Sequence, residues 1–311
     1  MQTPVTEPSQ ATVPAPVDSG PTRLANRRER LGIGAFGAFI GLYLISFLFL
    51  VVNGYADAAA LTLRYAITFG TLSAVTYFLT IPATKAYHPG PQPSALQRPL
   101  TRAHFAGLAV CFVAVLASGW LQTRMNPSVT GSSLWSPQSL VHFGAAAFTI
   151  EVVLVFLTLH ALGVPARVLG LAAWGKGSSR VAVAWIGLAL LYVVIDSLTG
   201  KTRVQNTLGL IVRNIFQNGF SEEFLFRGAL LSRLRTFVRL EWALLGQALV
   251  FGAWHYGADI RSAGGNVLVA IAFMITVQSV FGYALGFLAV RTRSIAITAT
   301  FHALADATSI I

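Results

Sequence analysis

Charge is scarce in this sequence, and negative charge scarcest of all. Asp and Glu number only 11 of 311 residues against 22 Lys and Arg, and charged residues total 11%, where a soluble domain carries about a quarter. With 55% apolar residues and a mean hydropathy of +0.66, this balance excludes an ordinary soluble domain and describes an integral membrane protein. Cysteine is nearly absent: Cys111 stands alone in an apolar run, so neither an intrachain disulfide nor a multi-cysteine zinc site can form. Any metal would need His and carboxylate ligands. Also missing are an internal repeat, a soluble domain and the His-Glu-x-x-His pair of helical zinc proteases. The formal charge of +11 does not point to nucleic acid, because the basic residues lie in short clusters between apolar runs, as in the loops of a polytopic membrane protein.

What the chain has in quantity is apolar length. A helix crossing a hydrocarbon core about 30 Å thick needs about 20 apolar residues, and nine candidates are expected on that criterion. Five form an amino-terminal group within 31–200, near 32–53, 60–82, 104–122, 140–162 and 181–198. Four more, near 206–231, 241–258, 266–290 and 294–311, form a carboxy-terminal group that holds nearly all the candidate chemistry. The fold class is therefore all-α and polytopic, with about nine transmembrane helices. Residues 1–30 are rich in Pro, Thr, Ser and Gln and read as a disordered cytoplasmic tail; no cleavable signal peptide is expected, because the polar stretch comes before the first apolar run. Alternating the spans puts 16 of the 22 basic residues on the side of the amino terminus and 6 on the other, which makes the amino terminus cytoplasmic. The expected location is a prokaryotic plasma membrane.

Within the carboxy-terminal group, Ser221-Glu222-Glu223-Phe224-Leu225-Phe226-Arg227 sets two carboxylates and a guanidinium among apolar residues. An ionisable side chain at membrane depth costs about 2.5 to 3.5 kcal/mol on insertion scales, so it is expected to be paired or functional and to face the protein interior. On a helix Glu223 and Arg227 share a face in the favoured acid-before-base order and are expected to form a structural ion pair. Glu222 points about 100° away and is left free. His255 lies four residues after Phe251, and His302 four residues before Asp306, so each pair shares a helical face. Measured from the basic ends of antiparallel helices, Glu222, His255, His302 and Asp306 all lie roughly 13 to 21 Å deep, in one layer.

One carboxylate and two imidazoles in a water-poor cavity are the parts needed to activate water for hydrolysis. Glu222 would accept a proton from water, with His255 orienting that water or sharing the role of base. His302 and Asp306 would either stabilise the oxyanion or join His255 as ligands of a divalent metal such as zinc. Asn214 and Asn218, eight and four residues before Glu222, are expected to line its cavity, whereas Arg64, Asp196, Gln217 and Gln278 read mostly as bundle glue. Glu151 has no partner evident in the sequence; a helper role, a pair with Arg64 and a protonated buried acid are all open.

The order Glu222-Glu223-x-x-x-Arg227, Phe251-x-x-x-His255, His302-x-x-x-Asp306 across four apolar segments resembles the CPBP family of intramembrane proteases. That family includes type II CAAX prenyl endopeptidases, bacteriocin-processing proteins and lysostaphin-resistance-like proteins. The resemblance covers about 206–311. It implies an all-helical membrane fold in which Glu222 and His255 activate the hydrolytic water while His302 and Asp306 complete the site, by a zinc-dependent or a metal-free glutamate mechanism. Prenyl-processing members commonly carry Asn where this chain has Asp306, and the five amino-terminal spans match no prenyl-protein binding site. The expected function is thus an endopeptidase acting inside or at the cytoplasmic face of the membrane on a peptide or membrane-protein substrate, prenylated ones included. Its partners are that substrate and the lipid bilayer. A non-catalytic immunity or chaperone protein with the same cavity, and a proton-coupled transporter using the same buried Glu and His, are the alternatives.

Overall fold

The computed structural model describes residues 33–84, 100–124, 145–171, 177–201 and 204–308. The expected tail at 1–30 and most of the two longest connections lie outside these residues. Nine helices run through the described residues: α1 (Ile33–Val52), α2 (Ala56–Thr84), α3 (Arg102–Arg124), α4 (Ala145–Ala161), α5 (Ser178–Leu198), α6 (204–234), α7 (Leu240–Ser262), α8 (Val267–Thr292) and α9 (Ile295–Ala305). A 3₁₀ turn, Ala166–Leu169, sits between α4 and α5, and no strand occurs among the described residues. Helices are what an apolar sequence must form in lipid, since each satisfies its own backbone hydrogen bonds where no water can. Five, namely α1, α2, α3, α5 and α8, carry windows long and apolar enough to cross a bilayer; α4, α7 and α9 contain shorter apolar stretches. The chain is a multi-pass membrane protein.

Contacts between helices, with Gly286 of α8 against Leu244 early in α7, give their directions. Phe36 and Phe39 at the start of α1 pack on Tyr283 late in α8, and Tyr55 just before α2 accepts a hydrogen bond from Asn266 just before α8. Late in α2, Thr80 accepts from Arg291 at the end of α8. Phe105 near the start of α3 meets Phe237 just after α6, and Phe148 early in α4 meets Phe220 midway along α6. Ser178 at the start of α5 donates to the Thr292 carbonyl, and Ile295 at the start of α9 donates its backbone N–H to Gly170. Successive helices therefore alternate in direction. One end of the bundle collects the starts of the odd-numbered helices and the finishes of the even-numbered ones, and the other end collects the rest.

Aromatic packing fixes the centre. Phe69 of α2 lies 5.1 Å from Phe281 of α8, and Trp185 of α5 lies 4.8 Å edge-on from Phe301 of α9. The Trp185 indole N–H donates to Thr76 at 2.7 Å, so its polar edge is satisfied inside the bundle. Outward residues such as Ile45, Phe78, Leu116 and Val183 are exposed, which costs nothing where the surroundings are lipid tails.

Candidate active site

Two close approaches bring the polar residues together. Gly219 of α6 presses on α9: a Cβ there would sit 2.5 Å from the Ala299 carbonyl oxygen. Gly252 of α7 packs on α8 in the same way, with a Cβ position 2.5 Å from the Met274 carbonyl oxygen. Only glycine lets the backbones meet at this range. Alpha6 also departs from regular geometry, with π-helical turns at Ile215–Gly219 and Phe224–Leu230 on either side of Ser221-Glu222-Glu223. Such turns shift the side chains around them and often mark functional sites. Alpha8 carries another at Met274–Gln278, facing the same region.

Glu222, His255, His302 and Asp306 converge there. Glu222 Oε2 lies 4.0 Å from His255 Nε2 and 3.9 Å from His302 Nε2. His302 Nε2 is 3.6 Å from Asp306 Oδ1, and Asn218 Nδ2 donates to Asp306 Oδ2 at 2.7 Å. Glu222 is 3% exposed, and its Oε2 has no hydrogen-bond partner within the protein. A buried carboxylate oxygen without a partner calls for an explanation, and a gap near 4 Å to each of two imidazole nitrogens has room for a bridging water. His255 Nδ1 lies 2.9 Å from the Phe251 carbonyl oxygen. A carbonyl only accepts, so Nδ1 carries a proton and donates it there, and the ring turns Nε2 toward Glu222. The expected Phe251–His255 relation is thus more than a shared face: the ring centroids are 4.5 Å apart and the backbone carbonyl orients the imidazole.

Glu223 and Arg227 form the expected ion pair, at 2.9 Å and with both side chains fully buried. The same Glu223 oxygen also lies 2.9 Å from His302 Nδ1. The pair is therefore tied to the site, a contact that sequence spacing could not give because it depends on how α9 docks against α6. Arg227 rests 4.2 Å from the Phe251 ring centroid and donates to the Gly282 carbonyl at 3.4 Å.

A cavity of about 450 Å³ holds the four residues, with Asn214 and Asn218 lining it as expected. Tyr65, Leu210, Arg213, Gln278 and Phe281 complete the wall. Of these, Gln278 does more than hold the bundle together: it donates to Asp259 at 3.3 Å while lining the cavity. Arg213 donates to Gln217 at 2.7 Å, a spacing of four that the sequence offered. Among the described residues, Tyr65 is the one cavity residue from the first five helices, and no local pattern marks it. Glu151 of α4 is buried against the Ser118 and Ser221 hydroxyls, close to Glu222, rather than paired with Arg64.

No three His, Cys, Asp or Glu side chains stand together in a metal-holding arrangement among the described residues. Both imidazoles instead direct Nε2 at one oxygen of Glu222.

Fold and site together define a multi-pass, all-helical membrane protein with a buried carboxylate–imidazole centre. Residues 204–308 match the family model described as Type II CAAX prenyl endopeptidase Rce1-like, so the resemblance drawn from the sequence holds over α6 to α9. No curated protein and no solved structure matches the chain.

Proposed function

We propose that this protein is an intramembrane endopeptidase, with Glu222 as the base that activates water. The observation that carries the reading is the unpartnered, buried Glu222 Oε2 about equidistant from two imidazole nitrogens in a polar cavity. A water lying between them gives one proton to Glu222, and its oxygen forms a bond to the carbonyl carbon of the scissile peptide. His255, fixed by Phe251, accepts a hydrogen bond from that water through Nε2 and aims it. His302 lies between carboxylates at both ring nitrogens, and its N–H donates to the oxyanion that develops on the carbonyl. Glu223 and Asp306 hold its ring in place, and Asn218 holds Asp306. The carbon–nitrogen bond then breaks, the proton on Glu222 passes to the leaving nitrogen, and the acid's remaining proton follows it, so that a new carboxylate and a new ammonium group depart.

The family description supports a peptide substrate; the preferred peptide and its prenylation are matters for experiment. The test is proteolysis of a fluorogenic peptide library, with and without prenylated members, by the detergent-purified protein. Cleavage by wild type and its loss in Glu222→Gln supports the reading. Cleavage that survives Glu222→Gln, or no cleavage by wild type, sinks it. A chelator arm decides the mechanism: loss that zinc restores would mean that His255, His302 and Asp306 gather around a metal on loading.

A further inference from the structure

Glu151 is a buried acid that the mechanism above leaves unused, and it is 1% exposed. It sits in a π-helical turn of α4, Thr149–Leu154. Two ring pairs set this turn alongside the centre of α6: Phe148 meets Phe220 at 6.2 Å, and Phe156 meets Phe224 at 6.4 Å. Between those pairs the Glu151 carboxyl reaches the hydroxyl of Ser221, the residue just before Glu222. It also reaches the hydroxyl of Ser118 on α3. Ser118 in turn accepts the Trp254 indole N–H at 3.0 Å, and Trp254 is the residue just before His255. Helices α3 and α7 come this close because Gly119 has no side chain; a Cβ there would sit 3.0 Å from the Trp254 ring.

The bonds around the two hydroxyls bear on what Glu151 can contribute. Ser221 Oγ has a single hydrogen, and it lies 2.6 Å from the Gln217 carbonyl oxygen and 2.9 Å from that of Phe216. A hydrogen spent on a backbone carbonyl leaves the Ser221 oxygen as an acceptor toward Glu151. Ser118 is similarly engaged, with the Val115 carbonyl oxygen at 3.3 Å and the Trp254 N–H as its donor. Among the described residues no Lys, Arg or His pairs with Glu151, and its Oε2 has no hydrogen-bond partner. Glu222, a second enclosed carboxyl, stands close by. Two neighbouring carboxyls in apolar surroundings, one of them with no cation beside it, do not both ionise.

We propose that Glu151 is a positioning residue that ties the base to the imidazole: it holds Ser221 beside Glu222, and through Ser118 it holds Trp254 beside His255. This deepens the endopeptidase reading and rests on it. Glu151 keeps its proton and donates it to the Ser221 hydroxyl, so Glu222 is the carboxyl left to act as base. The strap sets α6 and α7 at the separation that leaves 4.0 Å between Glu222 Oε2 and His255 Nε2, the gap that takes the water. Being uncharged, it adds no second negative charge behind the base. Ser118 and Glu151 both lie outside the stretch 204–308 that the family model matches, so the outer helices brace this site as well as shielding it.

Two substitutions in the detergent-purified full chain test this. Glu151→Gln keeps the shape and an N–H donor, whereas Glu151→Leu removes the donor. In peptide cleavage Glu151→Leu is expected to lower kcat by about 10- to 100-fold with KM little changed, as for a residue that orients another. Glu151→Gln is expected to recover most of that loss and to leave the pH–rate profile in place, since it replaces a neutral group by a neutral group. Two further readouts need no catalysis. The infrared band of a protonated carboxyl is expected in wild type at neutral pH and should weaken in Glu151→Gln. The ring-nitrogen NMR resonances of His255, assigned with His255→Gln, are expected to move in Glu151→Leu and to stay in Glu151→Gln. Full kcat in Glu151→Leu, an equal loss in Glu151→Gln, or an unchanged infrared band overturns the proposal. Should Glu151→Leu fail to fold, Ser118→Ala replaces it, with the same fall in kcat and the same movement of the His255 resonances expected. A wild type that cleaves nothing sinks the endopeptidase reading, while the infrared and NMR readouts still decide whether Glu151 is protonated and whether it holds the imidazole.

Discussion

The first five helices and the last four solve different problems with the same apolar alphabet. The membrane windows of α1, α2, α3 and α5 are 22 to 28% buried, whereas that of α8 is 50% buried, and α6 has an unbroken buried run from Ser221 to Leu230. The early helices mostly face outward and carry few charges. The late ones are enclosed and hold Glu222, Glu223, Arg227, His255, His302 and Asp306. Charge is tolerated at depth where a surrounding layer of helices keeps lipid away from it and where each charged group has neighbours of the opposite kind. The outer helices make a low-dielectric shell, and the inner ones place chemistry inside it.

Substitutions should respect that division. The largest effect is expected from Glu222→Gln, which keeps shape and burial but removes the base; peptide cleavage should fall by about 10²- to 10⁴-fold with an unchanged thermal midpoint in detergent. An equally isosteric change in the outer group, Glu151→Gln, should cost less activity, because Glu151 lies behind Glu222 and lines no part of the cavity. A larger loss than in Glu222→Gln would break the comparison. Removing one partner of the enclosed ion pair by Arg227→Met should lower unfolding stability by about 3 to 5 kcal/mol, since it strands Glu223 and loosens His302. Gly219→Ala should cost about 1 to 3 kcal/mol by forcing α6 away from the Ala299 carbonyl, and activity should fall with it. Asn218→Ala should reduce cleavage by roughly 10- to 100-fold, as expected for a residue that orients another, while the fold survives. At the other extreme Leu48→Ala, on an exposed face of α1, should change stability by no more than about 0.5 kcal/mol, read from thermal unfolding in detergent.

Much of this division was legible in the linear chain. The expected spans near 32–53 and 181–198 became Ile33–Val52 and Ser178–Leu198, because an apolar stretch of that length has one stable backbone arrangement in lipid. The four candidate residues were found by cost alone: ionisable groups in apolar segments need a reason to be there. The Glu223–Arg227 pair and the Asn214 and Asn218 lining followed from spacing along one helix. Other contributions were out of reach. Tyr65 joins from a helix more than 140 residues earlier in the chain than its nearest cavity neighbour, and Glu223 meets His302 across 79 positions. The π-helical turns that shift side chains around Glu222 have no signature in a four-residue spacing rule.

The sequence by itself determined that this is a helical membrane protein, that its helices alternate in direction, that one end is basic, and that its chemistry lies in the last four helices. Length, hydropathy and charge are local or additive properties, so they survive being read one residue at a time. Tertiary structure alone decided that Glu222 faces both imidazoles, that the ion pair steadies one of them, and that Tyr65 joins the cavity wall. These depend on which helix faces meet and how closely, and that is set by small residues and backbone irregularities acting between segments far apart in the chain.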